Sequence, residues 1–224
     1  TVGGADVTVA RYVYDVPTSG AGLPTVNDTH TAWQQTKEAV TGYAVFGQDY
    51  TGAVTGSGVD WGYADLSYVD DLGYTVNTAS YGAGAWLVTA TDYDSEGNVI
   101  RELDASATAT ARATPGLSAA QVDAMSTRTE YNTEVKNSEG VVVLPGNSRV
   151  TDTYGPTRLV ALADGTQVQA RPHTSTTYDQ GAPTTLNPTT QQHWSLPTTI
   201  TTGASSPGAA PGTPDLQVIS TVVN

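Results

Sequence analysis

Alternation of apolar and polar positions, rather than a helical stripe, runs through this chain. The clearest stretch is residues 154–181. Arg158 to Ala163 reads RLVALA. After Asp164-Gly165, Thr166, Val168 and Ala170 take one parity and Gln167, Gln169 and Arg171 the other. A period of two marks a strand with one buried face. Asp-Gly between two such runs predicts a hairpin with a two-residue type I′ turn, which needs positive φ at both central residues. Arg11 to Asp15 alternates Tyr12 and Tyr14 around Val13, and 41–46 alternates Tyr43 and Val45 against Ala44 and Phe46. In 85–103, Trp86, Val88 and Ala90 share a parity opposed by Leu87 and Thr89. Residues 141–145, 149–154 and 217–223 read as further strands. Residues 31–40 lack an apolar stripe and suit one helical turn or two.

Three stretches break the pattern. Residues 17–24 are a turn-rich loop. Residues 105–116 read as a small-residue loop, and Leu117 to Thr127 as the best helix, with Ser118 as N-cap and Val122 and Met125 packing on one surface. From 195 to 214 the run of Pro, Thr, Gly and Ala predicts a loop or linker.

The strand runs recur at a fixed distance. Residues 69–76 (VDDLGYTV) line up with residues 93–100 (YDSEGNVI), 24 positions later. In each, an Asp (Asp70, Asp94) stands three before a Gly (Gly73, Gly97). Asp can accept hydrogen bonds from the turn backbone while Gly takes the left-handed conformation. Counterparts stand at 69, 93, 131, 154 and 178, with gaps of 24, 38, 23 and 24. The long gap holds the helical insert. A period of this size implies stacked supersecondary units, none able to bury its apolar face alone. The chain divides into a weakly repeat-like segment (1–59), repeat strands (60–104), loop plus helix (105–128), repeat strands (129–194), a loop (195–214) and the start of a strand (215–224).

These residues resemble the YD (tyrosine–aspartate) repeats of Rhs-type proteins, whose unit runs Tyr-Asp-x-x-Gly-Arg/Asn-Leu/Val before a strand and a turn. Residues 93–99 match closely. Tyr14-Asp15 and Tyr178-Asp179 match at the dipeptide. Tyr154 with Arg158-Leu159 keeps the ends but has Gly155 for Asp; Val69 stands where Tyr is expected, and Tyr131 is followed by Asn132. The resemblance covers most of 60–181, and the composition is similar to large actinobacterial members. It implies an all-β fold: a curved or spiralling antiparallel sheet built from ~24-residue repeats, with one short helical insert. Such sheets form a hollow shell around a toxin-like C-terminal domain, or an extracellular surface protein. The repeat-defining residues it implies are Tyr14, Asp15, Asp70, Gly73, Tyr93, Asp94, Gly97, Tyr131, Tyr154, Arg158, Asp164, Gly165, Tyr178 and Asp179. The implied partner is the remainder of the same polypeptide, and the implied location extracellular or at the cell surface.

Composition narrows the chemistry. The 224 residues suffice for one large all-β domain or two small ones. The formal net charge is −13. Residues 1–104 hold fourteen acidic and three basic residues, and 105–224 hold eight and six. Such acidity argues against nucleic acid and anionic membrane surfaces and suits solubility or loose cation binding. With no cysteine, disulfides and thiolate chemistry are excluded. No run approaches the ~18 apolar residues of a membrane span. The N-terminus has no signal-peptide pattern, and both ends read as cut from a longer chain.

Candidate sites are few. Residues 92–98 open like an EF-hand loop, but the twelfth position is Leu103, with Glu102 one short. The repeat turn explains the same residues. The acid pairs Asp70/Asp71 and Asp92/Asp94 are sequence neighbours, which does not establish a glycosidase pair. His30, His173 and His193 are isolated, without zinc spacing, and His173 after Pro172 reads as a surface residue. No nucleophile elbow, phosphate loop or dinucleotide fingerprint is present. Asn27-Asp28-Thr29 has the form of a glycosylation sequon or a plain polar turn. Exposed Trp33, Trp61, Trp86 and Trp194 would suit a sugar platform, but aromatics in strands are more often core or cross-strand partners. The expectation is a non-catalytic structural segment with no metal and no cofactor. The alternative is a β-sandwich adhesion or carbohydrate-binding module.

Overall fold

A computed structural model describes residues 9–27, 30–209 and 212–223. The sequon's Asp28 and Thr29, and residues 1–8, lie outside this set. The chain is mostly antiparallel strand with few helices. It falls into two compact units, residues 1–93 with 102–122, and residues 94–101 with 123–224.

The first unit is a meander in chain order: β1 (Ala10–Val16), β2 (Thr41–Gly47), β3 (Ala64–Val69), β4 (Thr75–Gly82) and β5 (Ala85–Tyr93), each antiparallel to the one before. The period of two becomes a buried face: Gly42, Ala44 and Phe46 from β2, Ala64, Leu66 and Tyr68 from β3, Val88 and Ala90 from β5. Register aligns Ala44, Leu66, Ala79 and Val88 in one cross-strand row, all buried. Large and small side chains interleave along it, which is how a sheet face reaches interior packing density. Gly42 lies opposite Tyr68, and a Cβ there would fall 2.7 Å from the ring. The ring covers the glycine. Burial also pushes the Tyr68 hydroxyl well above its ordinary pKa.

Residues 31–40 contribute one 3-10 turn, His30–Trp33. Trp33 is fully buried, contrary to its expected exposure, and removal of such a ring from water contributes on the order of 1.5–3 kcal/mol. Its Nε1 donates to Gln35 Oε1 at 2.7 Å, and Gln35 Nε2 donates to Val76 O at 2.8 Å. Asn77 Nδ2 donates to the same Gln35 oxygen at 3.0 Å. Trp61, Trp86 and Trp194 are half-buried.

Residues 105–116 are a correction. They contain α1 (Ala105–Ala113) instead of a loop. Asp104 caps it, accepting from Ala107 N–H at 2.8 Å, and alanine is the best helix former. The small face Ala107, Thr108 and Ala111 is buried, so α1 packs without large apolar side chains. The expected helix at 117–127 is shorter, α2 (Ala119–Ala124). Ser118 caps it as expected, with Gln121 returning a bond to Ser118 N–H at 2.9 Å, the reciprocal capping box. Val122 is buried, and Met125 lies just past the helix, half-buried.

The second unit contains the start of β6 (Val99–Leu103), then β7 (Thr127–Tyr131), β8 (Val135–Lys136), β9 (Val142–Leu144), β10 (Val150–Tyr154), β11 (Arg158–Ala161), β12 (Gln167–Tyr178), β13 (Pro197–Ser205) and β14 (Gln217–Val223). The main order is β6-β7-β10-β12-β13-β14, with β11 pairing the first part of β12 and β8-β9 forming a separate hairpin. Nine residues of the 195–214 stretch expected as loop, Pro197–Ser205, are therefore strand β13. Its Pro and Gly suggested a linker, but Thr is β-branched and suits a pleated surface. Thr202 Oγ1 and Ser220 Oγ share a cross-strand hydrogen bond at 2.6 Å.

The hairpin at Asp164-Gly165 forms, with a different turn. Leu162 N–H donates to Thr166 O at 2.8 Å and Gly165 N–H to Leu162 O at 2.9 Å. Gly165 has φ +84, while Asp164 is not at positive φ. This is a three-residue loop closed by a left-handed glycine, not a type I′ turn. The extra residue keeps Ala161 opposite Gln167 and Val160 opposite Val168.

Candidate functional site

The repeated features sit where strands end. Asp70 Oδ1 accepts from Leu72 N–H at 3.0 Å and Tyr74 N–H at 2.8 Å. Asp94 Oδ1 accepts from Glu96 N–H at 3.0 Å and Asn98 N–H at 2.8 Å. Asn137 Oδ1 accepts from Glu139 N–H at 3.0 Å and Val141 N–H at 2.9 Å. In each loop the glycine three residues on, Gly73, Gly97 or Gly140, has φ between +80 and +87. The three turns are the same structure. The 163–165 loop uses the same closing geometry, with Asp164 Oδ1 accepting from Thr166 N–H at 2.9 Å. The Asn137 copy escaped sequence reading because Asn replaces Asp and Lys136 replaces the apolar or aromatic residue before it. Its signal was the Asx-x-x-Gly spacing alone.

The marker positions 69, 93, 131, 154 and 178 are the last residues of β3, β5, β7, β10 and β12. Three of the tyrosines make the same bond. Tyr93 hydroxyl donates to Thr75 O at 2.9 Å, Tyr131 to Val99 O at 3.1 Å, and Tyr178 to Val150 O at 2.8 Å. Each acceptor is the first residue of the neighbouring strand. A ring at one strand's end thus latches the start of the strand beside it. Burial, with Glu102 and Asp70 nearby, raises the Tyr93 pKa.

Tyr154 differs. It is buried and stacks on His173 at 4.3 Å with ring planes 2° apart. Burial first, then Asp152 and Glu130, push its pKa up to about 12. His173 is buried as well, correcting its expected surface position: on β12 its ring lies between two carboxylates. Nε2 is 2.9 Å from Asp152 Oδ1 and Nδ1 is 2.8 Å from Asp215 Oδ1. Each ring nitrogen is thus within hydrogen-bond distance of a carboxyl oxygen from a different segment of the chain. Beside it, Arg171 donates to Gly155 O, Asp123 Oδ2 and Ser126 O, each at 2.7 Å. These groups join β10, β12 and the segments before β7 and β14.

Tyr178-Asp179 closes a second cluster. Arg149 lies over the Tyr178 ring at 5.1 Å and donates to Asp179 Oδ2 at 3.2 Å. Asp179 Oδ1 accepts from Leu196 N–H at 2.9 Å, and His193 Nδ1 lies 3.5 Å from Oδ2. Burial pushes the Asp179 carboxyl up, but the Leu196 and Ser195 backbone, Arg149 and His193 outweigh it and hold it below its ordinary value. Asp179 has φ +62. Tyr14 and Asp15 are placed otherwise: Tyr14 is exposed, and Asp15, at φ +57, lies where β1 slips register between Val13 and Val16. Arg158 is exposed on β11, opposite Ala170.

The acids that open like a calcium loop turn to different partners. Asp92 Oδ1 accepts from Thr36 N–H and Oγ1, both at 2.8 Å, while Asp94 closes its own turn. Among the described residues no group of three or more His, Asp or Glu is placed to hold a metal ion, and no helix is long and apolar enough to cross a membrane. No family model, curated protein or solved structure matches the chain.

Proposed function

We propose that this chain is a non-catalytic structural segment of a secreted or surface-exposed Rhs/YD-repeat protein. It forms part of a β-shell that encapsulates or presents a toxin-like C-terminal domain. The observation that carries the reading is the hydroxyl latch made by Tyr93, Tyr131 and Tyr178. The same residue type at the same place in a strand makes the same bond to the neighbouring strand. A site built for turnover differentiates its residues; a wall repeats them. The capped Asx-x-x-Gly turns support the same reading, because they join successive strands by one short device. The buried His173 and Arg171 clusters fit it too, as their polar atoms are engaged in joining strands.

Electron microscopy of the complete polypeptide in its natural reading frame tests the proposal. The expected result is a strand ladder that continues edge to edge beyond β1 and β14 and wraps an internal volume. Two closed sandwiches, with β1 and β14 capped by other elements, would overturn it.

A further inference from the structure

A pocket of about 490 Å³ in the first unit is lined by Gly22, Asp60, Gly62, Tyr63, Tyr81 and Trp86. That size is typical of small-molecule sites, which run roughly 300–1,000 Å³. Tyr81 and Trp86 are cross-strand partners on β4 and β5. Their rings lie 5.4 Å apart with planes at 74°, so they form two walls of a corner. Tyr63 comes from the 3-10 turn Trp61–Tyr63, whose N-cap is Asp60. The turn sits close because residue 62 is glycine: a Cβ there would lie 3.4 Å from Tyr81 Cδ1 and 3.3 Å from Asp60 Oδ1. Tyr63 is 66% exposed and Tyr81 49%. These ring surfaces face water, unlike the latch tyrosines.

We propose that this corner binds a quaternary or otherwise methylated ammonium group. Three aromatic rings and one carboxylate match what such a cation needs. Its charge is spread over methyl groups that lie on ring faces, and it has few or no N–H donors to satisfy. A sugar would need several hydrogen-bonding groups, yet apart from the ring hydroxyls and the indole N–H the lining side chains offer only Asp60. The field has the right sign, with residues 1–104 at net −11 (fourteen acidic, three basic). The opposing charges nearby are Arg112, which lines a separate pocket that shares Trp86, and Arg11, which lies over the Tyr50 ring behind Tyr63.

The chain itself uses this interaction. Arg11, Arg128, Arg149 and Arg171 each lie over a tyrosine ring, at 5.1 to 5.8 Å. Arg11 does so at Tyr50, which stacks on Tyr63 at 5.2 Å. Among the described residues no such cation lies over Tyr63, Tyr81 or Trp86. The ligand would supply it.

Calorimetric titration of the intact protein at constant ionic strength decides the matter. The probes are choline, its uncharged carbon isostere 3,3-dimethylbutanol, and methyl glucoside. Choline should bind saturably and the isostere about tenfold more weakly, and Tyr63→Ala or Trp86→Ala should each weaken choline about tenfold. Asp60→Asn should weaken choline and leave the isostere unchanged. Tyr63 is exposed, so its variant remains informative if Trp86→Ala perturbs β5; circular dichroism checks both. Equal binding of the isostere, binding of the glucoside in place of choline, or no saturable binding would each overturn the proposal. The pocket is distinct from the latches, so either outcome leaves the structural role to be judged separately.

Discussion

One oxygen separates Asp94 from Asn137, and their turns are otherwise alike. Both use Oδ1 to hold the same two backbone N–H groups. Asp94 Oδ2 additionally accepts from Asn98 Nδ2 at 3.0 Å. Asp94→Asn should therefore keep the turn and lose one side-chain bond, whereas Asp94→Ala loses every bond and should cost about 1–2 kcal/mol. Urea denaturation at pH 7 should place the Asn variant between wild type and Ala. Burial raises the Asp94 pKa, but bonds from Asn98, Glu96 and Gly97 outweigh it and lower it overall. A carboxyl held below its unfolded value contributes fully above about pH 4, and the contribution disappears as pH falls through the folded pKa. The gap between wild type and Asp94→Asn should accordingly close on acidification below pH 4. A gap that stays constant or widens in acid would contradict this assignment.

At the scale of elements, each latch ties a strand end to its neighbour's start. Tyr178→Phe keeps the ring under Arg149 and removes only the donor to Val150 O. It should cost about 1 kcal/mol, as should Tyr131→Phe, and because Val150, whose carbonyl Tyr178 latches, is the cross-strand partner of Tyr131, the double variant should depart from additivity by about 0.5 kcal/mol or more. Equilibrium denaturation measures all three; a neutral result would leave the hydroxyls incidental. The strands with clean alternation, β2 and β5, were legible because one face is buried and the other is not, whereas the β11–β12 hairpin, with Val160 and Val168 only half-buried, was legible through its Asp-Gly turn. Helix α1 was not legible. Its formation depends on Asp104 as cap and on small side chains meeting the sheet, and neither produces an apolar stripe. Strand β13 was hidden by a composition shared with linkers. The latches were legible only as a spacing of tyrosines; the bond each makes depends on register. The surroundings of His173 were out of reach, since Asp152 and Asp215 lie 21 and 42 residues away.

On the scale of the whole molecule, the chain carries its charge unevenly and leaves strands at an edge. Among the described residues β14 has a strand partner on one side only. It is uncharged, and Val218, Ile219, Val222 and Val223 are all exposed. Natural edges are usually guarded by charge, proline or a bulge against pairing with another chain. In a preparation of these 224 residues alone, the unpaired β14 edge should make the chain associate with rising concentration. Ile219→Lys should suppress that association while changing stability by less than about 0.5 kcal/mol, as read by sedimentation and denaturation. Equal association of the two proteins would remove β14 from the account.

The order of strands also decides how the chain yields to force. Among the described residues β14 pairs as a strand with β13 alone, and β13 lies between β14 and β12. A load applied at residue 223 therefore meets the backbone bonds of β14 one pair at a time, like a zip opened from its end. Such peeling needs far less force than sliding two strands lengthwise past each other. A sheet built this way would resist pressure on its face and open readily when drawn out from one end.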